Sequence, residues 1–402
     1  MWRENTLLAG SNLIHLTRVC FPAMLGWCLL MVSARAAEEI LESPQTFLVV
    51  ADSTSLMAGD EAKSTIPLGT VVSVTRIQGN WRYCPEKTGW IHIRDLIPLS
   101  DAVATFTKEI EDKPTTRACQ LRGIAYMEQG EWARAAMDFE RAYDLGESAI
   151  AVHLNLGTCY ERMGKTASAI AEYDAILRTY PDDFSANVAR GNLLLQEGQF
   201  QSALRDLTRA TSENPNAPEA WNSHGIALRM LGRYEDAIES YSKSIERDPN
   251  AADALSNRAY AYKQLGKLPE ALRDYQAAVQ LAPTSLGIRN DLAWFLATTS
   301  DPELRDSTRA IEISEAVCEE SGNKNGEYLD TLAAAYAAAG RYPAAVEAVR
   351  LALNVLGDHP GAAKIKERLA LYRKQQPYVE VLEVKPELPS PESLPGSDDS
   401  QQ

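Results

Sequence analysis

The chain has 402 residues, 45% of them apolar, enough for folded cores and too many for a chain disordered throughout. Its formal charge of −15 argues against nucleic acid, whose binding proteins carry basic stripes. Six cysteines at spacings that match no metal or redox motif exclude a disulfide scaffold.

Arg3 and Arg18 precede an apolar run, Val19 to Val32, and Ala34-Arg35-Ala36 offers a small-x-small cleavage site. Residues 1–36 read as a secretory signal peptide, so the protein is expected to be exported, periplasmic or secreted. The run falls short of the roughly 20 residues of a membrane span, and no span is expected after cleavage. The long n-region keeps an uncleaved N-terminal membrane anchor as the alternative. Cys20 and Cys28 leave with the signal. Of the rest, Cys84, Cys119, Cys159 and Cys318 read as small buried hydrophobes, with a Cys119–Cys159 pairing left open.

Residues 44–100 are β-rich. Phe47–Val50, Val71–Val74 and Trp90–Ile93 are short strand-forming runs, separated by turns at Gly59-Asp60, Gly69, Gly79-Asn80 and Gly89. The order LGTVVSVTRIQGNWRYC…KTGWIHIRDLIPL resembles the bacterial Src homology 3-like barrel, a family whose members often bind peptides or cell-wall material. The resemblance makes Trp81 and Trp90 the aromatics of interest. Either they contact a ligand or they plug a small barrel core.

From residue 101 a comb sets in. Gly130, Gly164, Gly198, Gly232 and Gly266 fall 34 residues apart, beside a second comb of Gly123, Gly157, Gly191 and Gly225, continued by Ala259. Such a period marks a solenoid whose units bury a core only by stacking. Within one period, Trp221, His224, Gly225 and Leu228 mark one helix face, Gly232 ends that helix, and Tyr234, Ala237, Ile238, Tyr241 and Ile245 mark a second face before Pro249. The pattern resembles the tetratricopeptide repeat of bacterial type, an antiparallel helix pair. It recurs as Gly123/Tyr126/Gly130/Ala135/Phe139 and as Tyr262/Gly266/Ala271/Tyr275/Pro283. These positions are assigned to packing, and Trp221→Ala is expected to cost about 3–5 kcal/mol by opening a cavity.

The expected fold is therefore mainly α: a right-handed α-solenoid of tetratricopeptide helix pairs preceded by the small all-β barrel. A half-repeat spans 101–115, and repeats span 116–149, 150–183, 184–217, 218–251 and 252–285. Asp301-Pro302 and an insertion delay the next second helix to about Ala310, giving a divergent unit at 286–325 and a restored one at 326–359. The stretch Leu292–Gly340 resembles the divergent pair that closes many bacterial arrays of this family. Residues 360–375 read as a polar capping helix. The tail, 376–402, is Pro-rich and acidic and is expected to be disordered.

Chemistry finds no foothold. Gly164-Lys165-Thr166 lacks the spacing and the leading strand of a phosphate loop, and there is no His-Glu-x-x-His, Gly-x-Ser-x-Gly or Gly-x-Gly-x-x-Gly motif. No histidine has a partner fixed by sequence. No catalysis, metal or cofactor is expected.

In the resembled family the first helices line a concave groove and bind through their non-core face. On this chain that face comprises Arg117, Gln120, Asn155, Arg162, Asn192, Asn222, Arg229, Asn257, Tyr260, Lys263 and Asn290, joined by Ile124, Thr158, Ile226 and Trp294. The asparagines recur on nearly equivalent rungs and could grip the backbone of an extended peptide with a donor and an acceptor each. They could equally be ordinary solvated residues. The family's carboxylate clamp for chaperone tails fits poorly, because Gln120 and Ile124 stand where it needs lysine and asparagine. The expected function is a protein-binding scaffold or adaptor that holds an extended partner segment. The alternative is a cell-wall (peptidoglycan)-associated protein targeted by its β domain.

Overall fold

A computed structural model describes residues 38–381, apart from residue 60 and residues 147–149. The expected signal peptide and the tail beyond residue 381 lie outside the described residues. The contacts divide the chain into two compact units between Ile97 and Pro98.

The first unit holds β1 (Glu38–Val49), β2 (Ser53–Ala58), β3 (Glu61–Pro67), β4 (Val71–Gln78), β5 (Trp81–Cys84) and β6 (Gly89–His92), with β7 (Leu96–Pro98) closing it. They make one seven-stranded sheet in the order β3-β2-β6-β5-β4-β1-β7. Its pairings β1–β4, β2–β3, β4–β5 and β5–β6 are antiparallel. The apolar residues of the alternating runs meet in one core of Phe47, Val49, Leu56, Ile66, Val72, Val74, Cys84, Ile91 and Leu96. Neither Trp81 nor Trp90 belongs to that core.

The described residues of the second unit form helices joined by short turns up to Arg373. Helix α1 (Leu99–Asp112) precedes the pairs α2 (Thr116–Glu128) with α3 (Trp132–Asp144), α4 (Ile150–Arg162) with α5 (Thr166–Thr179), and α6 (Phe184–Gln196) with α7 (Phe200–Glu213). Then come α8 (Pro218–Met230) with α9 (Tyr234–Arg247), and α10 (Ala252–Gln264) with α11 (Leu268–Leu281). The array ends with α12 (Leu286–Thr298), α13 (Ser307–Glu320), α14 (Gly326–Ala338), α15 (Tyr342–Leu356) and α16 (Ala362–Arg373).

The two glycine combs do different work, as α8 and α9 illustrate. Gly232 sits at φ +77°, so the chain turns left-handed and the Arg233 N–H donates back to the Leu228 carbonyl at 2.9 Å. That bond satisfies a carbonyl the helix end would otherwise leave open. Gly225 is needed for closeness instead. A Cβ there would lie 2.6 Å from a ring carbon of Tyr241, which is fully buried. Phe139, Tyr173 and Tyr241 pack in this way on bare backbone of the preceding helix at Gly123, Gly157 and Gly225, and Leu207 does so at Gly191.

Buried ion pairs add to this packing. Arg122 on α2, Arg190 on α6 and Arg258 on α10 each reach a carboxylate sixteen residues on, Asp138, Asp206 and Asp274, with Nε to carboxylate distances of 2.7 Å. Each also reaches back to the preceding second helix or α1, at Thr107, Asp174 and Ser242. They staple three successive helices in alternate units.

Trp221 departs from expectation. It is only partly buried, its indole N–H donates to the Pro215 carbonyl at 2.9 Å, and Lys243 lies 4.5 Å from its ring. Removing it opens no sealed cavity, so the cost falls below the 3–5 kcal/mol range of a core tryptophan.

Past α11 the regular pattern changes. Helix α12 ends without a glycine, at Thr299, and the Asp306 N–H returns to the Leu296 carbonyl at 3.1 Å before α13 begins. Helix α16 buries Ile365, Leu369 and Tyr372 against α14 and α15, covering the apolar end of the stack.

Candidate functional site

First helices of successive units touch one another, as α6 does α8, α8 does α10, α10 does α12 and α12 does α14. Second helices of successive units approach less closely, so the first helices form the inside of the curve. The sequence-derived contact residues lie on these inner helices.

They do not form one uniform ladder. Gln120, Asn155 and Asn192 stand half-buried on α2, α4 and α6. Arg117 lies 3.8 Å from Glu109 of α1, and Arg162 lies 5.3 Å from the Trp132 ring. Asn222 and Asn257 meet directly, the Asn257 amide donating to the Asn222 side-chain oxygen at 3.1 Å. Part of the capacity assigned to a peptide backbone is thus spent between rungs. Asn290 lines a cleft of about 280 Å³ with Trp294, Asp330 and Arg368, and its buried side-chain oxygen has no hydrogen-bond partner among the described residues.

Three of these residues converge strongly. Arg229 and Lys263 flank the Tyr260 ring at 5.1 and 5.0 Å, and burial raises the Tyr260 hydroxyl above its ordinary pKa. Lys263 is 6% exposed, and its ammonium donates to both oxygens of Glu380 at 2.9 Å. The Trp294 indole N–H donates to the same carboxylate at 3.2 Å. Glu380 comes from beyond α16, on the segment expected to be disordered.

That segment forms a strap. The Glu380 N–H donates to the Thr298 carbonyl at 2.8 Å, one of the four carbonyls that the end of α12 leaves open. Tyr378 tilts against Trp294 at 5.8 Å between ring centroids. The Arg368 guanidinium lies 5.2 Å from the Trp294 ring and 5.3 Å from the Tyr378 ring, and its Nε donates to buried Asp330 at 3.0 Å. By Val381, 82% exposed, the chain is back in solvent. Ordered chain thus extends past residue 375. Sequence reasoning assigned Trp294 and Lys263 to the inner face. It missed Tyr378, Glu380, Thr298 and Arg368, and the Tyr-Val-Glu run inside a Pro-rich tail was the only available signal.

The described histidines are hydrogen-bonded and the described cysteines are buried. His224 Nδ1 lies 2.9 Å from the Ser240 hydroxyl, and burial, then Lys243, lowers its pKa to about 4. His153 pairs with Glu172 at 2.8 Å. The cysteines of α2 and α4, Cys119 and Cys159, are buried free thiols, so the open pairing is not formed, and burial pushes Cys159 to about 12.

In the first unit, Trp81 is 36% exposed and packs edge-on against His92 at 5.1 Å. Arg76, Tyr83 and Trp90 are cross-strand neighbours, with Arg76 3.6 Å from the Tyr83 ring and Tyr83 5.2 Å from Trp90. Together they make a partly exposed aromatic and cationic patch.

Residues 121–184, 188–252 and 225–285 match the tetratricopeptide-repeat family. Helices α2–α11 thus form a tetratricopeptide-like array, an architecture whose stacked helix pairs in general offer extended protein-binding surfaces. No curated protein matches the chain. Among solved structures, a crystal structure of MamA is 22% identical, covering 40% of this chain and 94% of that chain with a TM-score of 0.38. MamA of MSR-1 is 25% identical, covering 42% and 97% with a TM-score of 0.38. YrrB, described as a TPR protein with an unusual peptide-binding site, is 24% identical, covering 46% and 96% with a TM-score of 0.41.

Proposed function

We propose that the second unit is a non-catalytic scaffold whose inner face holds an extended segment of a protein partner. One observation carries this reading: the chain's own residues 378–380 already lie against that face. They use one main-chain hydrogen bond to a helix end, and the side chains of Tyr378 and Glu380 contact Lys263, Trp294 and Arg368. A partner segment can engage the half-buried polar residues of α2–α8 in the same way, because each of these first helices presents side-chain donors and acceptors. No cofactor or metal enters this function, and the expected export would place the partner in the envelope or outside the cell.

The test is photo-crosslinking. A crosslinking residue at Asn155, Asn192 or Asn222 should capture the partner, whereas one at Arg205 or Arg273 on second helices should not. Equal capture at both sets of positions overturns the reading. The triple alanine variant of Asn155, Asn222 and Asn257 should weaken the captured complex, and an unchanged affinity removes the asparagines from the contact.

A second reading concerns the first unit alone. The partly exposed Trp81, Tyr83 and Trp90 suit stacking on a sugar or peptide, which supports cell-wall binding by a Src homology 3-like module. Full-length protein with Trp81→Ala and Trp90→Ala should then lose retention on purified peptidoglycan, and retention equal to the unaltered chain would sink this reading.

A further inference from the structure

The strap meets the inner face through groups that define what else could bind there. In an extended segment, residues two apart lie on the same side. Tyr378 and Glu380 accordingly both meet Trp294, one by its ring and the other through the indole N–H. Glu380 supplies the hydrogen-bonded ion pair of Lys263, whose side chain is 6% exposed, while Asp291 acts on the ammonium only through space. A buried ammonium is strongly disfavoured without a counter-charge. Anything that displaces the strap while keeping Lys263 covered must therefore bring a carboxylate of its own. The aromatic requirement is equally physical. Asp330 fixes the Arg368 guanidinium, and the gap it leaves beside Trp294 is filled by the flat ring of Tyr378.

We propose that Tyr260, Lys263, Trp294, Thr298 and Arg368 form a binding subsite for extended segments that carry an aromatic residue two places before a carboxylate, and that Tyr378-Val379-Glu380 fills this subsite in cis. The strap is a resident competitor. Only four residues separate Arg373, the end of α16, from Tyr378, and so short a leash holds the strap at an effective concentration on the order of millimolar. A partner segment of the same pattern must outcompete it, and a strap released by other means opens the subsite. This inference deepens the inner-face reading above and rests on it.

The probe is a fluorescently labelled hexapeptide with the sequence of residues 376–381, followed by anisotropy against two full-length proteins. The Tyr378→Ala/Glu380→Ala double variant should bind the peptide at least tenfold more tightly than the unaltered chain. The same peptide with glutamine in place of glutamate, or alanine in place of tyrosine, should lose at least tenfold on the double variant. Equal binding by the two proteins, or indifference to the glutamine exchange, overturns the proposal. Should the double variant fail to fold, amide hydrogen exchange on the unaltered chain decides. The Glu380 amide should be protected and should lose that protection when unlabelled hexapeptide is added in millimolar excess. An unprotected amide, or protection unmoved by the peptide, overturns it. Failure here with partner crosslinks still confined to Asn155, Asn192 and Asn222 removes the subsite alone. Crosslinks spread over both helix faces remove the broader reading as well.

Discussion

The five regular helix pairs, α2 to α11, and the divergent end, α12 to α16, solve one packing problem in two ways. The regular stretch repeats itself: an aromatic or leucine on each second helix packs on a glycine or alanine of the first, and alternate units add a buried Arg–Asp staple. Its side chains are committed to each other. At the divergent end the glycine turn is missing after α12, the returning chain is longer, and the open carbonyl of Thr298 is satisfied by the strap instead. Loss of regularity leaves polar groups whose partners come from another segment, and that is what a binding subsite requires.

Breaking a staple should give the largest effect. Arg258→Met leaves Asp274 buried beside an apolar side chain, and removing one partner of a buried pair costs about 3–5 kcal/mol. Urea denaturation should show this loss. Replacing Asp274 with leucine in the same protein should recover most of it, because the uncompensated charge is then gone. No recovery would show that the staple holds through geometry and not charge.

The staples were partly legible. Arg122, Arg190 and Arg258 are spaced by 68 residues, two periods of 34, but a charged residue on an amphipathic helix ordinarily reads as solvated. The combs were legible because they impose short-range steric requirements that only glycine or alanine meets. Gly225 against Tyr241 is the clearest case. The strap was not legible. Its local composition is that of a disordered tail, and Glu380 meets Lys263 across 117 residues of chain, a distance at which periodicity carries no information. Trp221 misled for the opposite reason: the repeat pattern marks its position, but not how far its rim is open to solvent.

A pH titration separates the regions next. His224 belongs to the regular stretch and has its pKa lowered to about 4, from 6.5, by burial and then by Lys243 and Arg233, opposed by Asp236 and Glu239. The unfolded chain therefore takes up the proton first. The contribution is complete above about pH 6.5, declines as pH falls through that value, and is gone below about pH 4, a total of about 3 kcal/mol. His224→Gln should flatten this slope between pH 4 and 6.5. A slope identical in both proteins would assign the acid sensitivity elsewhere.

A smaller effect probes the combs. Gly225→Ala puts a Cβ 2.6 Å from the Tyr241 ring, so the helices must part or the ring must move, at about 1–3 kcal/mol. The next unit carries Ala259 in one buried cluster with Tyr275. Ala259→Gly should therefore not stabilise, since it adds chain entropy and removes contact. Thermal unfolding of the two single variants tests the asymmetry, and a stabilising Ala259→Gly would contradict it.

The smallest effect on stability should come from the strap, although its ion pair resembles a staple. Glu380→Gln removes the counter-charge of a lysine only 6% exposed, which inside the regular stretch would cost as much as Arg258→Met. The strap differs in having an escape. It is anchored by α16 and by Tyr378 against the end of the stack and is exposed again at Val381, so its Glu380 end can detach and let water reach Lys263. Local opening caps the global cost, because a segment cannot contribute more than the free energy of its own release. Denaturation of Glu380→Gln should therefore shift little, while hydrogen exchange at residue 380 and at the end of α12 should rise to the solvent rate. A loss as large as that of Arg258→Met would mean that the strap is a structural staple and not a displaceable occupant.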